Sequence, residues 1–294
     1  MLDRIEAVAR ESGARIRAAT DFSIESKGTL SNIVTTADSE NEAFLREELA
    51  ELIPGSAFVG EEGEQDSILA DGYTWIVDPI DGTMNFSRGI PECAVSIALL
   101  RDGEPYIGVV YNPFTDILWK AERGRGAYRN GARIHVSGRP FEDGLLCTAW
   151  STYNKSLAPR CFEVIEGLYP RCNDIRRTGT AACELAMLAE GAVDLYFEIR
   201  LAPWDHAAAD VCILEAGGCL CSIEGDVVYD RPCPVIAANS PENMGIIRDA
   251  VVAVFGPKAP YRQASNGLSF LRSNVQSAEI IQLDNYLIIY DLLF

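Results

Sequence analysis

Trp75-Ile76-Val77-Asp78-Pro79-Ile80-Asp81-Gly82-Thr83-Met84-Asn85-Phe86 is the most informative stretch of this chain. An apolar, β-prone run delivers Asp78 at its end. Pro79 has no backbone donor and forces a turn, and Asp81 follows three residues after Asp78, so two carboxylates can converge. Gly82 permits close backbone approach. Thr83 stands near a helix start, where free N–H groups favour a phosphate. Two adjacent carboxylates without a cation repel each other, and one of them takes up a proton. A hard divalent cation removes that conflict, and an oxygen-only ligand set suits Mg²⁺. Asp-x-x-Asp alone also describes a turn whose acid caps a helix; the whole run argues for the cation site.

Three further segments carry the same chemistry. Gly60-Glu61-Glu62-Gly63 follows the short apolar strand Ala57-Phe58-Val59, so glycine-framed acids can reach a shared crevice, although such a loop is otherwise simply solvated. Pro203-Trp204-Asp205-His206-Ala207-Ala208-Ala209 opens a helix; Asp205 can be a ligand or a plain N-cap, and the alanines leave room for tight packing behind it. Lys27-Gly28-Thr29-Leu30-Ser31-Asn32-Ile33-Val34-Thr35-Thr36-Ala37-Asp38 brings one more acid and a lysine that, alone, reads as an ordinary surface residue.

Around these segments the periodicity switches between 3.6 and 2. Residues 2–19 read as a helix with Leu2, Ile5, Ala9, Ser12, Ile16 and Ala19 on one face. Ser39-x-x-Glu42 has the form of a capping box, opening a second helix with Phe44, Leu45, Leu49 and Leu52 inward and Pro54-Gly55 at its end. Residues 73–77 are a buried strand. Residues 94–100 and 105–111 flank Arg101-Asp102-Gly103-Glu104, a hairpin signal, and 117–121 and 126–129 continue as antiparallel strands before Asn130-Gly131. The second half alternates: strand 145–149, helix 159–168, strand 174–177, helix 180–190, strand 193–198, helix 205–216, strands 219–223 and 235–238, and a helix capped by Ser240-Pro241 to about Phe255. This alternation favours a layered arrangement, with a boundary near Gly138-Arg139-Pro140. The division is an N-terminal α+β domain, 1–140, with most of the ligands; an α/β domain, 141–256, with Asp205; and a tail, 257–294. The tail ends in the apolar run Asp284–Phe294, an aggregation risk if exposed, readable as an extra strand, a subunit contact or a non-native extension.

Composition bounds the alternatives. Of 294 residues, 48% are hydrophobic and 23% charged, which is that of a folded chain. The net charge of −18 repels nucleic acid, anionic membranes and phosphorylated substrates alike, so a phosphate site here needs cations. The first residues, Met1–Glu6, are charged and lack the apolar centre of a signal peptide. With nine cysteines, an odd number, this reads as a cytoplasmic protein with reduced thiols. Cys219-x-Cys221 is not a zinc spacing, His135 and His206 are the only imidazoles, and no run of 18 apolar residues is present.

Taken together, the four acidic segments resemble the inositol monophosphatase family of the Mg-dependent, lithium-sensitive phosphatase superfamily. That family's pattern is an Asp, then Glu-Glu, then Asp-Pro-Ile-Asp-Gly-Thr, then Trp-Asp-x-Ala-Ala, in this order. Gly179-Thr180-Ala181-Ala182 also looks like its substrate loop. The resemblance covers roughly residues 1–256; the tail departs from the usual length. It implies the inositol monophosphatase (sugar phosphatase) fold, a layered α-β-α-β-α sandwich of the α+β class. It implies two or three Mg²⁺ ions, one held by Glu61, Asp78 and the carbonyl of Ile80, a second by Asp78, Asp81 and Asp205, and a third facing Glu61. It implies that Thr83 and Asp38 activate a water for in-line attack without a phosphoryl-enzyme, and that Glu61 serves catalysis through its metal. The N–H groups of Gly82 and Thr83 would hold phosphate beside Asp81 and Asp205. The Gly179-Thr180-Ala181 loop and Glu198 would meet the substrate's hydroxyls. The expected activity is hydrolysis of an inositol phosphate or similar small phosphorylated polyol or sugar, by a homodimer without nucleic acid or membrane. The alternatives are fructose 1,6-bisphosphate, NADP(H) or a 3′-phosphoadenosine nucleotide, where Arg176 and Arg177 offer a second cationic subsite or merely brace the loop. The remote alternative is a catalytically silent sugar-phosphate-binding regulator.

Overall fold

The computed structural model describes residues 1–29, 32–152, 154–256, 280–283 and 286–289. The chain forms two compact units, Met1–Gly256 and Pro257–Phe294. In the second, β15 (Ile280–Leu283) pairs antiparallel with β16 (Tyr286–Ile289). The other residues of the tail, with Leu30, Ser31 and Tyr153, lie outside the described set.

The first unit is built in five layers, and period-2 alternation explains them. The outer layer holds α1 (Leu2–Ala18) and α2 (Thr36–Leu52). A seven-stranded sheet follows, in the order β3 (Ala57–Gly60), β4 (Tyr73–Asp81), β5 (Ala94–Arg101), β6 (Glu104–Asn112), β7 (Ile117–Glu122), β8 (Gly126–Arg129), β9 (Ala132–Ile134). Only its β3–β4 pair is parallel. Trp75, Val77, Val95, Ile97 and Leu99 pack on Ile5, Ile16, Leu45 and Leu49 of the outer helices. The alternate residues Ile76, Ala98 and Leu100 face a middle layer of α5 (Ala181–Ala189) and α6 (Pro203–Glu215). A five-stranded sheet covers the far side of that layer, in the order β11 (Asp174–Arg176), β10 (Leu145–Thr148), β12 (Leu195–Leu201), β14 (Cys233–Ala238), β13 (Cys219–Cys221). It turns Cys147, Tyr196, Val235 and Ala237 to the middle layer. Leu146, Leu195, Phe197 and Ile236 face the last layer, α4 (Ala158–Leu168) and α7 (Pro241–Phe255).

The middle layer is thin because its helices are small-residue helices. Ala207, Ala208 and Ala209 are fully buried, and a Cβ added to Gly108 on β6 would stand 2.0 Å from the carbonyl oxygen of Ala208. Sheet and helix backbones therefore meet with no side chain between them. Gly108→Ala should destabilise the protein by roughly 1–3 kcal/mol or more through forced separation of β6 and α6; a urea melt against wild type measures it, and an unchanged midpoint would contradict the contact.

Two local expectations are corrected. The capping box of α2 is not Ser39–Glu42. The N–H of Asp38 donates to Thr35 Oγ1 at 3.4 Å and that of Thr35 to Asp38 Oδ2 at 2.8 Å, so the helix begins at Thr36 with Asp38 in its first turn. The chain reaches it from an antiparallel hairpin of β1 (Ile24–Thr29) and β2 (Asn32–Thr35), which the sequence pattern had not suggested. Helix α6 likewise begins at Pro203, so Asp205 is not its N-cap but its third residue, accepting from the N–H of Ala202 at 2.7 Å. No helix among the described residues is long and apolar enough to cross a membrane.

Candidate active site

Alternation along β4 turns Asp78, like Ile76, toward the start of α6, and the register breaks between Asp78 and Asp81. That break swings Asp81 to the start of α5. One carboxylate oxygen of each acid is anchored. Asp78 Oδ1 accepts from the N–H of Ile80 at 2.9 Å, and Asp81 Oδ2 accepts from the N–H of Ala182 at 2.7 Å and from the Thr180 hydroxyl. Asp205 is anchored to Ala202 as described. Asn41 of α2 braces the turn by donating to the Pro79 carbonyl at 2.9 Å. The result is that Asp78, Asp81 and Asp205, from two elements and 127 positions of sequence, present ligand oxygens all within 4.8 Å of one another.

Such a group is costly without a cation. Asp78 is 1% exposed, and burial first, then Glu61, Asp81 and Asp205, push its carboxyl well above the usual range. Burial also pushes Asp81 up to about 7, against the opposing hydrogen bonds of Thr180 and Ala182. Asp205 is pushed well up by burial, Asp81 and Glu61. Like charges gathered in a desolvated place, on a chain of net charge −18, are what a hard divalent cation resolves. The donor set is oxygen alone. His206, next in sequence to Asp205, points elsewhere: its Nδ1 lies 2.6 Å from buried Asp210.

Glu61 lies beside Asp78 rather than in the tight trio. Burial raises its carboxyl, and Lys27 of the β1–β2 hairpin opposes that by donating to Glu61 at 3.0 Å and to Glu62 at 2.7 Å. Burial raises Glu62 to about 7. On the other side, Gly82 takes a left-handed φ of 91° and starts the short helix α3 (Thr83–Ser87). The Thr83 hydroxyl lies 3.0 Å from Asp38 Oδ1 and 3.1 Å from the carbonyl oxygen of Ile80. Asp38 is 1% exposed, raised by burial against the bonds from Thr35 and Thr83.

A cavity of about 550 Å³ opens on this group, with Asp81, Gly82, Thr83, Gly179, Thr180, Ala181, Glu198 and Asp205 among its lining. Asp38, Glu61 and Asp78 are not part of that lining; they are hydrogen-bonded to Thr83, Lys27 and Ile80 in turn. Glu198 is pushed up to about 8, chiefly by burial; the Tyr196 hydroxyl donates to it at 3.1 Å. Arg177 also lines the cavity, its guanidinium 4.6 Å from the Trp150 ring centroid and donating to Thr152 at 2.9 Å. Arg176 instead pairs with Asp174 at 2.5 Å.

Several residues that shape the site had not stood out in the sequence. Glu184 accepts from the hydroxyl of Thr178 at 3.0 Å and the N–H of Gly179 at 3.3 Å, holding the turn before α5. Its signal was a lone acid inside the apolar run Ala181-Ala182-Cys183-Glu184-Leu185-Ala186. Asn85 ties α3 to that turn by donating to the Thr178 carbonyl at 2.9 Å and to that of Glu92 at 2.8 Å.

Comparison with known proteins agrees with this geometry. The model of the inositol monophosphatase family matches residues 2–254. The chain is 39% identical over 223 residues to the inositol-1-monophosphatase of Bacillus subtilis (strain 168), covering 74% of this chain and 83% of that one. It is 35% identical over 243 residues to the protein named Nus factor SuhB of Escherichia coli (strain K12), covering 81% and 91%. The solved IMPase structure of Thermotoga maritima superposes with a TM-score of 0.77 at 29% identity, covering 86% of this chain and 98% of that one. With fold, converging acids and relatives in agreement, the chain belongs to the inositol monophosphatase family, whose members hydrolyse phosphoric monoesters.

Proposed function

We propose that this protein hydrolyses inositol phosphates or a closely similar phosphorylated polyol, using Mg²⁺ held by Asp78, Asp81 and Asp205 with Glu61 and the Ile80 carbonyl nearby. The observation that carries the proposal is the meeting of three carboxylates within 4.8 Å beside the Thr83–Asp38 pair. When bound, the cations lower the pKa of water and neutralise charge on the phosphoryl group. The chain's own residues do the rest. Thr83 donates its hydroxyl proton to Asp38, which turns an oxygen lone pair toward an incoming water and lets it pass a proton inward. The N–H groups of Gly82 and Thr83 take phosphate oxygens. Glu198 and the Gly179-Thr180-Ala181 turn orient the hydroxyls of the polyol.

Phosphate release from inositol 1-phosphate, with and without Mg²⁺, tests this beside a panel of fructose 1,6-bisphosphate, NADP(H) and a 3′-phosphoadenosine nucleotide. The expected outcome is Mg²⁺-dependent release fastest with inositol 1-phosphate and inhibited by lithium. Metal-independent release, or none across the panel, overturns it. In the same assay Thr83→Val should lower kcat by roughly 10²- to 10³-fold with Mg²⁺ binding retained, while Thr83→Ser keeps most of the rate. Equal rates for Val and wild type would remove Thr83 from the proton path.

One observation favours a second reading. Arg177 is the one cationic side chain among the described residues lining the cavity, and it is held ready against Trp150 and Thr152. A substrate with a second phosphate would meet it, and a kcat/KM higher for fructose 1,6-bisphosphate than for inositol 1-phosphate would select that reading. Nine free cysteines fit a reducing, cytoplasmic setting. The homodimer rests on family resemblance, and sedimentation equilibrium checks it.

A further inference from the structure

We propose that Glu42 is a positioning residue: it fixes the direction of Glu61 and thereby the affinity of the site for a divalent cation. This rests on the reading of Glu61 as a cation ligand given above. Glu42 sits one turn after Asp38 on the same face of α2, so one helix serves both sides of the site. It is 3% exposed, yet it takes no part in the acidic trio. Its two oxygens are spent on the loop that carries Glu61. Oε2 accepts from the N–H of Glu62 at 2.8 Å and Oε1 from the N–H of Gly63 at 2.9 Å.

These two bonds orient the peptide planes on either side of Glu62, and with them the backbone torsion through which Glu61 leaves the loop. The loop needs such a hold, because it is framed by Gly60 and Gly63, which have the widest backbone freedom. The glycines also make the hold possible. A Cβ at Gly60 would lie 2.4 Å from Glu42 Oε2, and one at Gly63 2.7 Å from Oε1. The carboxylate therefore occupies the space that side chains at those positions would take. Arg46, a turn further along α2, closes the arrangement: Nη2 lies 3.2 Å from Glu42 Oε1 and 2.9 Å from the Glu64 carbonyl, and its guanidinium lies 4.1 Å from the ring centroid of Phe58. Glu42 is thus the internal acceptor that a β-strand or a capping group would otherwise supply to this loop. Removing it leaves two amide donors without their partner and leaves Glu61 directed only by its own contacts with Lys27 and Asp78.

The test is calorimetric titration of Mg²⁺ into the metal-free full-length protein, for wild type, Glu42→Ala, Glu42→Gln and Glu61→Gln, with the melting temperature of each metal-free variant. Glu42→Ala should weaken Mg²⁺ binding about 10- to 100-fold, as loss of an outer partner of a metal ligand does. Glu42→Gln should fall between Ala and wild type, because the amide keeps one acceptor oxygen and turns a donor toward the other N–H. Turnover at saturating Mg²⁺ should persist in both. A purely structural role would lower the melting temperature and leave the affinity of the folded fraction unchanged, which overturns the proposal. If Glu42→Ala does not fold, the isosteric Gln variant decides, and wild-type affinity there overturns it. Glu61→Gln separates the two readings: weak binding there with normal binding in the Glu42 variants sinks the positioning role alone, whereas normal binding in Glu61→Gln removes the ligand role on which it rests.

Discussion

Replacing Asp78 by asparagine should reduce Mg²⁺-dependent phosphate release by about three orders of magnitude or more, and at the same time make the metal-free protein harder to unfold near neutral pH. The first effect follows from loss of a charged ligand central to the group, since a cation's charge stabilisation is worth several kcal/mol and roughly 4 kcal/mol corresponds to about 10³ in rate. The second follows from the same burial. The Asp78 carboxyl is pushed up by desolvation, Glu61, Asp81 and Asp205, so its charged form opposes folding when no cation is present. Asparagine has the same shape, still offers an oxygen to the N–H of Ile80, and carries no charge. Steady-state kinetics and a thermal melt on one preparation check both halves. A variant that has merely lost its fold would fail in both; near-normal turnover would exclude Asp78 from the cation site.

Mg²⁺ should raise the melting temperature strongly at about pH 8 and only weakly at about pH 5, and the metal-free protein should melt higher at the lower of the two. The sign follows from raised carboxyl pKa values in the folded state. Asp81 moves from 3.8 to about 7 and Glu198 from 4.5 to about 8, both chiefly by burial. Protons therefore bind the folded form more tightly than the unfolded one. That stabilisation is complete below the unfolded values near 4 and is lost as pH climbs through about 7 to 8. The exposed acids Asp3, Asp116 and Asp174 are shifted the other way by Lys120, Tyr111 with Arg10, and Arg176, so they weaken the protein only under stronger acid. A cation at 100 times its dissociation constant contributes about 2.7 kcal/mol, or roughly 5–10 °C for a unit of this size. At about pH 5 the ion competes with protons for the same oxygens, and the gain shrinks. Differential scanning calorimetry at both pH values, with and without Mg²⁺, reads all four quantities; an equal metal increment at the two pH values would contradict the assignment.

Much of the frame was legible because it is locally encoded. The two-residue turns at Asp102-Gly103 and Asn130-Gly131 adopt positive φ at all four residues, as those pairs favour, and they set the β5–β6 and β8–β9 hairpins of the seven-stranded sheet. The run from Trp75 to Phe86 marked both Asp78 and Asp81 before any fold was known. What stayed hidden depended on tertiary choice. Thr35–Asp38 and Ser39–Glu42 have the same spacing, and no local rule ranks one capping box above the other. The hairpin that delivers the chain at Thr35 decides it, and Glu42 is then freed for a loop 20 residues away. Arg176 and Arg177 are neighbours of one kind, yet the first ends a strand beside Asp174 and the second turns into the cavity. Glu184 and Asn85 act through backbone groups whose proximity only folding creates.

The thin alanine layer of α6 has a consequence for how this molecule exchanges substrate and product. With Gly108 against the Ala208 carbonyl, and both sheets resting on the same pair of helices, parting the halves along the middle layer would break the core. The β1–β2 hairpin, which carries Lys27 to Glu61, stands outside that core. Selectivity among esters can then drift by editing the rim, while the bed on which Asp205 is mounted stays untouched.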